Sequence, residues 1–218
     1  MKILGEDEAG RGSVVGPLVI AGALFEKKDS EKLKKLGVKD SKLLTKKKRE
    51  ELFEKIKEIA IDYCIIKVKP MEIDQRFSVN TNLNQLEAIK FSEIINKLKP
   101  DLAIIDCPTK NTKNFSLYIK KFINCDCKLK CENFADENHL EVGAASILAK
   151  VTRDREIEKI EKKLNEVIGA GYPSDPKTLK FVEKSLNNKE WLNKYIRRTW
   201  LTFQRIKEEN EQKKISEF

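Results

Sequence analysis

Residues Leu102-Ala103-Ile104-Ile105 are apolar without a break and end on Asp106. An unbroken apolar run of this length reads as a strand covered on both faces. The chain must therefore bring helices to both sides of a sheet. The acid that closes the run is a second constraint, because an ionised carboxylate against Ile104 and Ile105 is costly unless something pairs with it. Two other expected strands also lead into acids. Ile3 to Glu8 finishes on Asp7 and Glu8, and Asp136 follows a strand expected over Cys127 to Phe134.

The carboxyl ends of strands are where open α/β sheets place ligands. Acids gathered there repel one another unless a cation sits among them. Oxygen donors of this kind suit hard divalent ions such as Mg²⁺. A pair of such ions can activate a water and steady a leaving oxygen in phosphodiester hydrolysis. The competing reading is that acids end strands because loops are solvated. Asp7 and Glu8 are neighbours, so a regular strand points them to opposite faces. Glu8 joins a cluster with Asp7 only where the strand ends or twists.

The rest of the chain completes the pattern. A second strand with an irregular start is expected over Val14 to Phe25, and a third over Ile61 to Val68. Lys27 to Leu44 reads as a basic loop with a short helix around Ser30 to Leu36, and helical spacing appears in Thr45 to Ala60, with Leu52, Phe53, Ile56 and Ile59 on one face, and in Asn82 to Leu98. Further helices are expected over Met71 to Phe77, Asn114 to Phe122, Asn138 to Ile168, Lys177 to Leu186, Lys189 to Tyr195 and Arg205 to Phe218. This order implies a five-stranded mixed sheet flanked by helices, over residues 1–168, with a helical C-terminal part at 169–218.

Composition narrows the chemistry. The 218 residues carry 44 basic and 35 acidic side chains, a net charge of +9, which suggests an anionic partner, most simply nucleic acid. The one histidine, His139, excludes catalysis by several histidines and zinc sites with two of them. No stretch approaches the roughly 20 apolar residues that span a bilayer. The start turns acidic too soon for a signal peptide. The odd count of five cysteines argues against a disulfide framework, so a soluble cytoplasmic protein is expected. Cys125, Cys127 and Cys131, with Cys107, offer either a structural metal site or small buried thiols, and their spacing favours thiols.

Several groups are suited to a phosphate backbone. Lys46, Lys47, Lys48 and Arg49 fill the first turn of a helix, where cations oppose the dipole unless a phosphate lies near. Solvated surface is the alternative. Lys42, in Asp40-Ser41-Lys42, is a further phosphate-reaching group. Gly10-Arg11-Gly12 follows the acidic pair, with glycines that admit close backbone approach and a guanidinium that matches phosphate. Tyr172, in the loop Gly169 to Pro176, could stack on a base or sugar, or pack against its own domain.

Taken together these blocks resemble the type 2 ribonucleases H (ribonuclease HII), in an archaeal-like form. The resemblance rests on Gly5 to Gly12 with Gly16-Pro17-Leu18-Val19, on Asp40 to Thr45, Asn82-Leu83-Asn84, Ile105-Asp106 and Ala135-Asp136. It continues through Ala144 to Asp154, Gly171 to Thr178 and Arg198-Thr199-Trp200, and so covers nearly the whole chain in family order. It implies an RNase H-like fold and a divalent-metal endonuclease, using Mg²⁺ or Mn²⁺, with two ions when substrate is bound. The substrates it implies are RNA–DNA hybrids and duplex DNA with embedded ribonucleotides, cut to leave 5′-phosphate and 3′-hydroxyl ends.

In this resemblance Asp7, Glu8, Asp106 and Asp136 match the metal-binding carboxylates. Gly10, Arg11 and Gly12 match the segment that reads the ribose 2′-hydroxyl, a handle that distinguishes RNA from DNA. Tyr172 matches the tyrosine that packs on the sugar beside the cut, and Lys42, Ser146 and Lys150 match positions near substrate phosphates. Ser13 stands where a proline is usual and Phe134 where a basic residue is common. The glycine segment favours type 2 over type 3. A monomer is expected. The rival readings are a module that grips hybrids without cutting, and another metal nuclease of the same fold.

Overall fold

A computed structural model describes residues 1–38 and 44–216, the side chains of 213–216 excepted. Strands β1 (Lys2–Ala9), β2 (Leu18–Glu26), β3 (Asp62–Val68), β4 (Leu102–Asp106) and β5 (Lys128–Glu132) form one sheet in the order β3-β2-β1-β4-β5. β1 runs antiparallel to β2 and parallel to β4, and β4 runs parallel to β5. The sheet is therefore mixed, as expected. Parallel neighbours need long crossovers. They are filled by α1 (Ser30–Leu36), α2 (Lys46–Ile59), α3 (Pro70–Gln75) and α4 (Leu83–Leu98) between β2 and β4, and by α5 (Thr112–Lys120) between β4 and β5. After β5 come α6 (Ala135–Asn138), α7 (Leu140–Leu164), α8 (Pro176–Ser185), α9 (Lys189–Tyr195) and α10 (Leu201–Ser216).

The chain divides into two compact units that interleave along the sequence. One comprises Met1–Ala9, Val19–Ile66 and Thr81–Thr152, the other Gly10–Leu18, Lys67–Asn80 and Arg153–Phe218. The first holds the sheet. On one of its faces Val19, Ala21, Ala23 and Phe25 of β2 pack with Leu33, Leu52, Phe53 and Ile56 of α1 and α2 and with Ala144, Ile147 and Leu148 of α7. Each fully buried Val, Leu, Ile or Phe side chain contributes about 1.5–3 kcal/mol. Gly5 is required here, because a Cβ on it would run into the backbone of Glu141 and Val142 as α7 crosses β1. The other face carries Leu4, Glu6 and Gly22 under Ile94 of α4. Phe91 of α4 meets Phe115 of α5 edge to face at 6.2 Å.

The helix starts follow from capping side chains. Thr45 Oγ1 accepts the Lys48 N–H at 3.2 Å and opens α2. Asn82 and Gln85 form a reciprocal capping box that opens α4. In the second unit Val14, Val15, Ile157, Ile168, Phe181, Tyr195, Ile196 and Phe203 share a core, with the rings of Phe181 and Trp191 stacked at 5.6 Å. Asp74 accepts the N–H groups of Arg198 and Thr199 and the Thr199 hydroxyl, tying α3 to the segment before α10. Among the described residues no helix is long and apolar enough to cross a membrane.

Several boundaries differ from expectation, and two of them stand out. Val14 to Pro17 lies outside β2, because Val14 and Val15 donate instead to the Gly171 carbonyl. The last helix begins at Leu201, and an isolated bridge between Val15 and Ile196 with turns follows α9. The cysteines are free, and burial pushes the Cys127 and Cys131 thiols up to about 11 and about 12, so both are neutral at pH 7.

Glu6 is the least expected core residue. It is fully buried, and among the described residues neither carboxyl oxygen has a hydrogen bond. Burial holds its carboxyl well above the ordinary range. An unsatisfied buried polar group costs roughly 1–3 kcal/mol, and the cost grows as pH rises past the unfolded-state value, because folding then requires proton uptake. Glu6→Val is therefore expected to raise the thermal unfolding midpoint by on the order of 5 °C, more at pH 8 than at pH 5. A fall in the midpoint at both pH values, measured by circular dichroism, would show that the carboxyl has a stabilising partner.

Candidate active site

β1 and β4 are adjacent and parallel, with Glu6 paired to Ile105. The next step along each strand is Asp7 and Asp106, so two carboxylates leave the sheet together. Asp136 arrives from α6, the single helical turn after β5. The turn is tied to β4 by the Ala135 N–H, which donates to Asp106 Oδ1 at 2.8 Å. Asp7 and Asp136 are buried and Asp106 is half-buried.

The electrostatics show that these groups feel one another. The Asp7 carboxyl is pushed up to about 7, first by burial, then by the Asp106 charge and, less strongly, by Asp136. A hydrogen bond from Ser146 and the Glu8 N–H, which donates to Asp7 Oδ1 at 2.7 Å, act in the opposite direction. Ser146, a candidate phosphate contact, thus places its hydroxyl on Asp7. Lys150 lies one turn further along α7 and shares that helix face. β1 continues through Ala9, so Glu8 points to the face opposite Asp7. There its charge, with that of Asp106, helps raise the Cys107 thiol after burial has done most.

An all-oxygen donor set with mutual repulsion fits a hard divalent cation in chemistry and in charge. Among the described residues, however, no group of three or more His, Cys, Asp or Glu is drawn close enough to hold an ion as it stands. Lys42 lies outside the described residues.

In the second unit a different set comes together. Gly10 has φ +83°, and a Cβ there would lie 2.9 Å from the Pro17 carbonyl oxygen and 3.3 Å from Arg153. Ser13 closes this turn, with its N–H and its hydroxyl both donating to the Gly10 carbonyl at 3.2 and 2.9 Å. The proline usual at position 13 could not donate the first of these bonds. Arg153 is 1% exposed, lies against Gly10 and Gly171, and places its guanidinium 4.6 Å from the Tyr172 ring centre. Arg197 is fully buried and donates to the carbonyls of Gly16 and Arg11 at 3.1 and 2.9 Å. Two buried guanidinium groups therefore brace Gly10-Arg11-Gly12 and Tyr172 into one constellation. Tyr172 remains half-exposed and Gly12 exposed.

Sequence reasoning did not single out Arg153 and Arg197. Arg153 stands in the block Ala144 to Asp154, but arginine is rarely buried, and nothing in its neighbours signals that it will be. Of the candidates, Asp7, Asp106, Asp136 and Ser146 meet in the first unit, and Gly10, Arg11 and Tyr172 are framed in the second.

The chain matches the ribonuclease HII family over residues 4–203. It is 44% identical over 216 residues to the ribonuclease HII of Thermococcus sibiricus, covering 98% of this chain and 95% of that protein. It is 46% identical over 218 residues to that of Methanococcus maripaludis, covering 98% and 90%. Among solved structures it resembles ribonuclease H2 from Pyrococcus horikoshii, with TM-score 0.87, 44% identity and coverage of 96% and 98%. The RNase HII solved in complex with PCNA from Archaeoglobus fulgidus gives 0.83 at 37% identity, covering 92% and 95%. An RNase HIII solved with Mn²⁺ shares the fold at 20% identity and TM-score 0.82, over 94% of this chain and 69% of that one.

Gly10 and Gly12 should respond differently to a methyl group. Gly10→Ala must adopt a left-handed conformation in a crowded turn and is expected to cost at least about 1–2 kcal/mol. A Cβ on Gly12 meets no atom within 4 Å, so Gly12→Ala should leave the unfolding midpoint unchanged. Denaturant titration of both variants distinguishes them, and equal losses would contradict the geometry.

Proposed function

The chain belongs to the ribonuclease HII family, and from that premise we propose a metal-dependent endonuclease that cuts the RNA strand of RNA–DNA hybrids and nicks on the 5′ side of ribonucleotides embedded in duplex DNA. The products are 5′-phosphate and 3′-hydroxyl ends. The observation that carries this reading is the convergence of Asp7, Asp106 and Asp136, with Asp7 pushed up to about 7 by burial and by its neighbours.

Asp7, Asp106 and Asp136 are the groups that would hold Mg²⁺ or Mn²⁺, and Glu8, on the opposite face of β1, would join them only with a turn of the strand end. When bound, such ions supply an acidified water and positive charge for the leaving oxygen. The remaining work falls to the chain itself. Ser146 holds the Asp7 carboxylate in place, and the Ala135 N–H does the same for Asp106. Lys150 and Lys42 are assigned to substrate phosphates. The exposed turn at Gly12 lets a ribose approach the backbone, where the 2′-hydroxyl is read. Tyr172, backed by Arg153, offers an aromatic face to the neighbouring sugar.

The test is duplex DNA with one embedded ribonucleotide, incubated with Mg²⁺ or Mn²⁺ and with chelator. A metal-dependent nick 5′ of the ribonucleotide is expected. Tight binding with no cutting would favour a binding module, and cutting of all-DNA duplexes would favour another nuclease of the fold. Asp106→Asn is expected to lower kcat by at least about 10²-fold with an unchanged circular dichroism spectrum.

Lys46, Lys47 and Lys48 at the start of α2 bear on affinity alone in this reading. Replacing all three with alanine should weaken binding and reduce the slope of log K against log salt by roughly 0.9 for each phosphate no longer neutralised. An unchanged slope would make the run solvated surface.

A further inference from the structure

Phe134 is the residue of the first unit whose conformation is hardest to explain by folding alone. It is 65% exposed, so its ring adds little to a core. Its backbone sits at φ +59°, ψ 34°, a left-handed conformation that is costly for a bulky side chain and that glycine or asparagine adopts readily. Among the described residues no aromatic ring and no cation stacks on it.

The backbone that carries the ring is nevertheless anchored on both sides. The preceding Asn133 donates through Nδ2 to the carbonyls of Cys107 and Thr109 at 2.8 and 2.9 Å. The following Ala135 N–H donates to Asp106. The Phe134 carbonyl accepts from Asn138 Nδ2 at 3.1 Å and from the Glu137 N–H at 3.2 Å. Both flanking residues are thus fastened to the segment that carries Asp106 and Cys107, and Asp136 follows two residues later. Lys130, a cation on the adjoining strand, is engaged by Glu132 at 2.9 Å, and His139 holds the other Glu132 oxygen at 2.6 Å.

We propose that Phe134 is a substrate-binding residue, its exposed ring stacking on the base or sugar of a nucleotide beside the cleaved bond. This role rests on the function proposed above. Aromatic faces bind nucleotides with little sequence preference, which suits an enzyme that recognises a ribose rather than a base. Unlike a lysine contact, such stacking releases no counterion. A backbone strain offset by little internal packing is what a residue selected for an external contact shows.

The experiment compares Phe134→Gly, Phe134→Trp and Phe134→Lys in the full chain, using duplex DNA with one embedded ribonucleotide at low and high salt. Phe134→Gly is expected to raise KM about tenfold with kcat nearly unchanged, the loss expected for one aromatic stack. Its unfolding midpoint should stay level or rise, since the strain is relieved. Phe134→Trp should restore KM. Phe134→Lys should bind nearly as well as wild type at low salt and fall away at high salt, with a slope steeper by about one. A wild-type KM in Phe134→Gly would overturn the proposal. So would a lower unfolding midpoint with kcat and KM changed together, which is the mark of a structural role. A wild type that leaves the substrate uncut removes the functional reading, and the role of the ring with it, whereas cutting by wild type with an indifferent Phe134→Gly removes the ring alone.

Discussion

Carboxylates buried within reach of one another are electrostatically uphill, and the structure around β1 and β4 is organised to hold them there. Parallel pairing in the Glu6–Ile105 register brings Asp7 and Asp106 out at the same edge. Burial and the Asp106 charge then push the Asp7 carboxyl up to about 7. Ser146 contributes a hydroxyl, and Glu8 and Ala135 contribute backbone amides, to holding the carboxylates. Hydroxyls and amides stabilise a carboxylate without neutralising it. A set of oxygen donors held in this way is suited to a hard divalent cation.

The fold was largely legible because its strands and helices obey simple periodicities. Leu102 to Asp106 is a strand at the residues expected, and the helices expected from Thr45 and from Asn82 start there, each capped by that residue. Position along the chain also located the three aspartates, since each ends or closely follows a strand. The alternation rule stated what would happen to Glu8, and β1 does continue past it, leaving Glu8 beside Cys107. Less legible was α6. One helical turn of four residues leaves no periodic trace, yet it carries Asp136 and, through Ala135, fixes Asp106.

The braces of the second unit were hidden for a different reason. Arg153 and Arg197 belong to a residue type that normally lies at the surface. Their burial depends on segments far apart in sequence, Gly10 to Gly16 meeting Gly171 and Arg197. No local pattern encodes that meeting. Its consequence can be traced in the structure, however: the planar guanidinium of Arg153 fills the space that Gly10 and Gly171 leave open and supports one face of Tyr172. The glycines are therefore needed twice, for the turns they make and for the arginine they admit.

Glu6 and Phe134 both break local rules, and the contrast between them separates cost from use. Glu6 turns inward, toward α4, where burial denies its carboxyl both water and a hydrogen bond. Nothing in the structure explains it. Phe134 turns outward from a backbone conformation it adopts with difficulty, and its neighbours are anchored so that the backbone is held in it. A strained residue inside a core has only the fold to answer to. A strained residue held rigidly at the surface, two positions from Asp136, has its compensation outside the chain, and in a nuclease the surface it would meet there is a nucleotide.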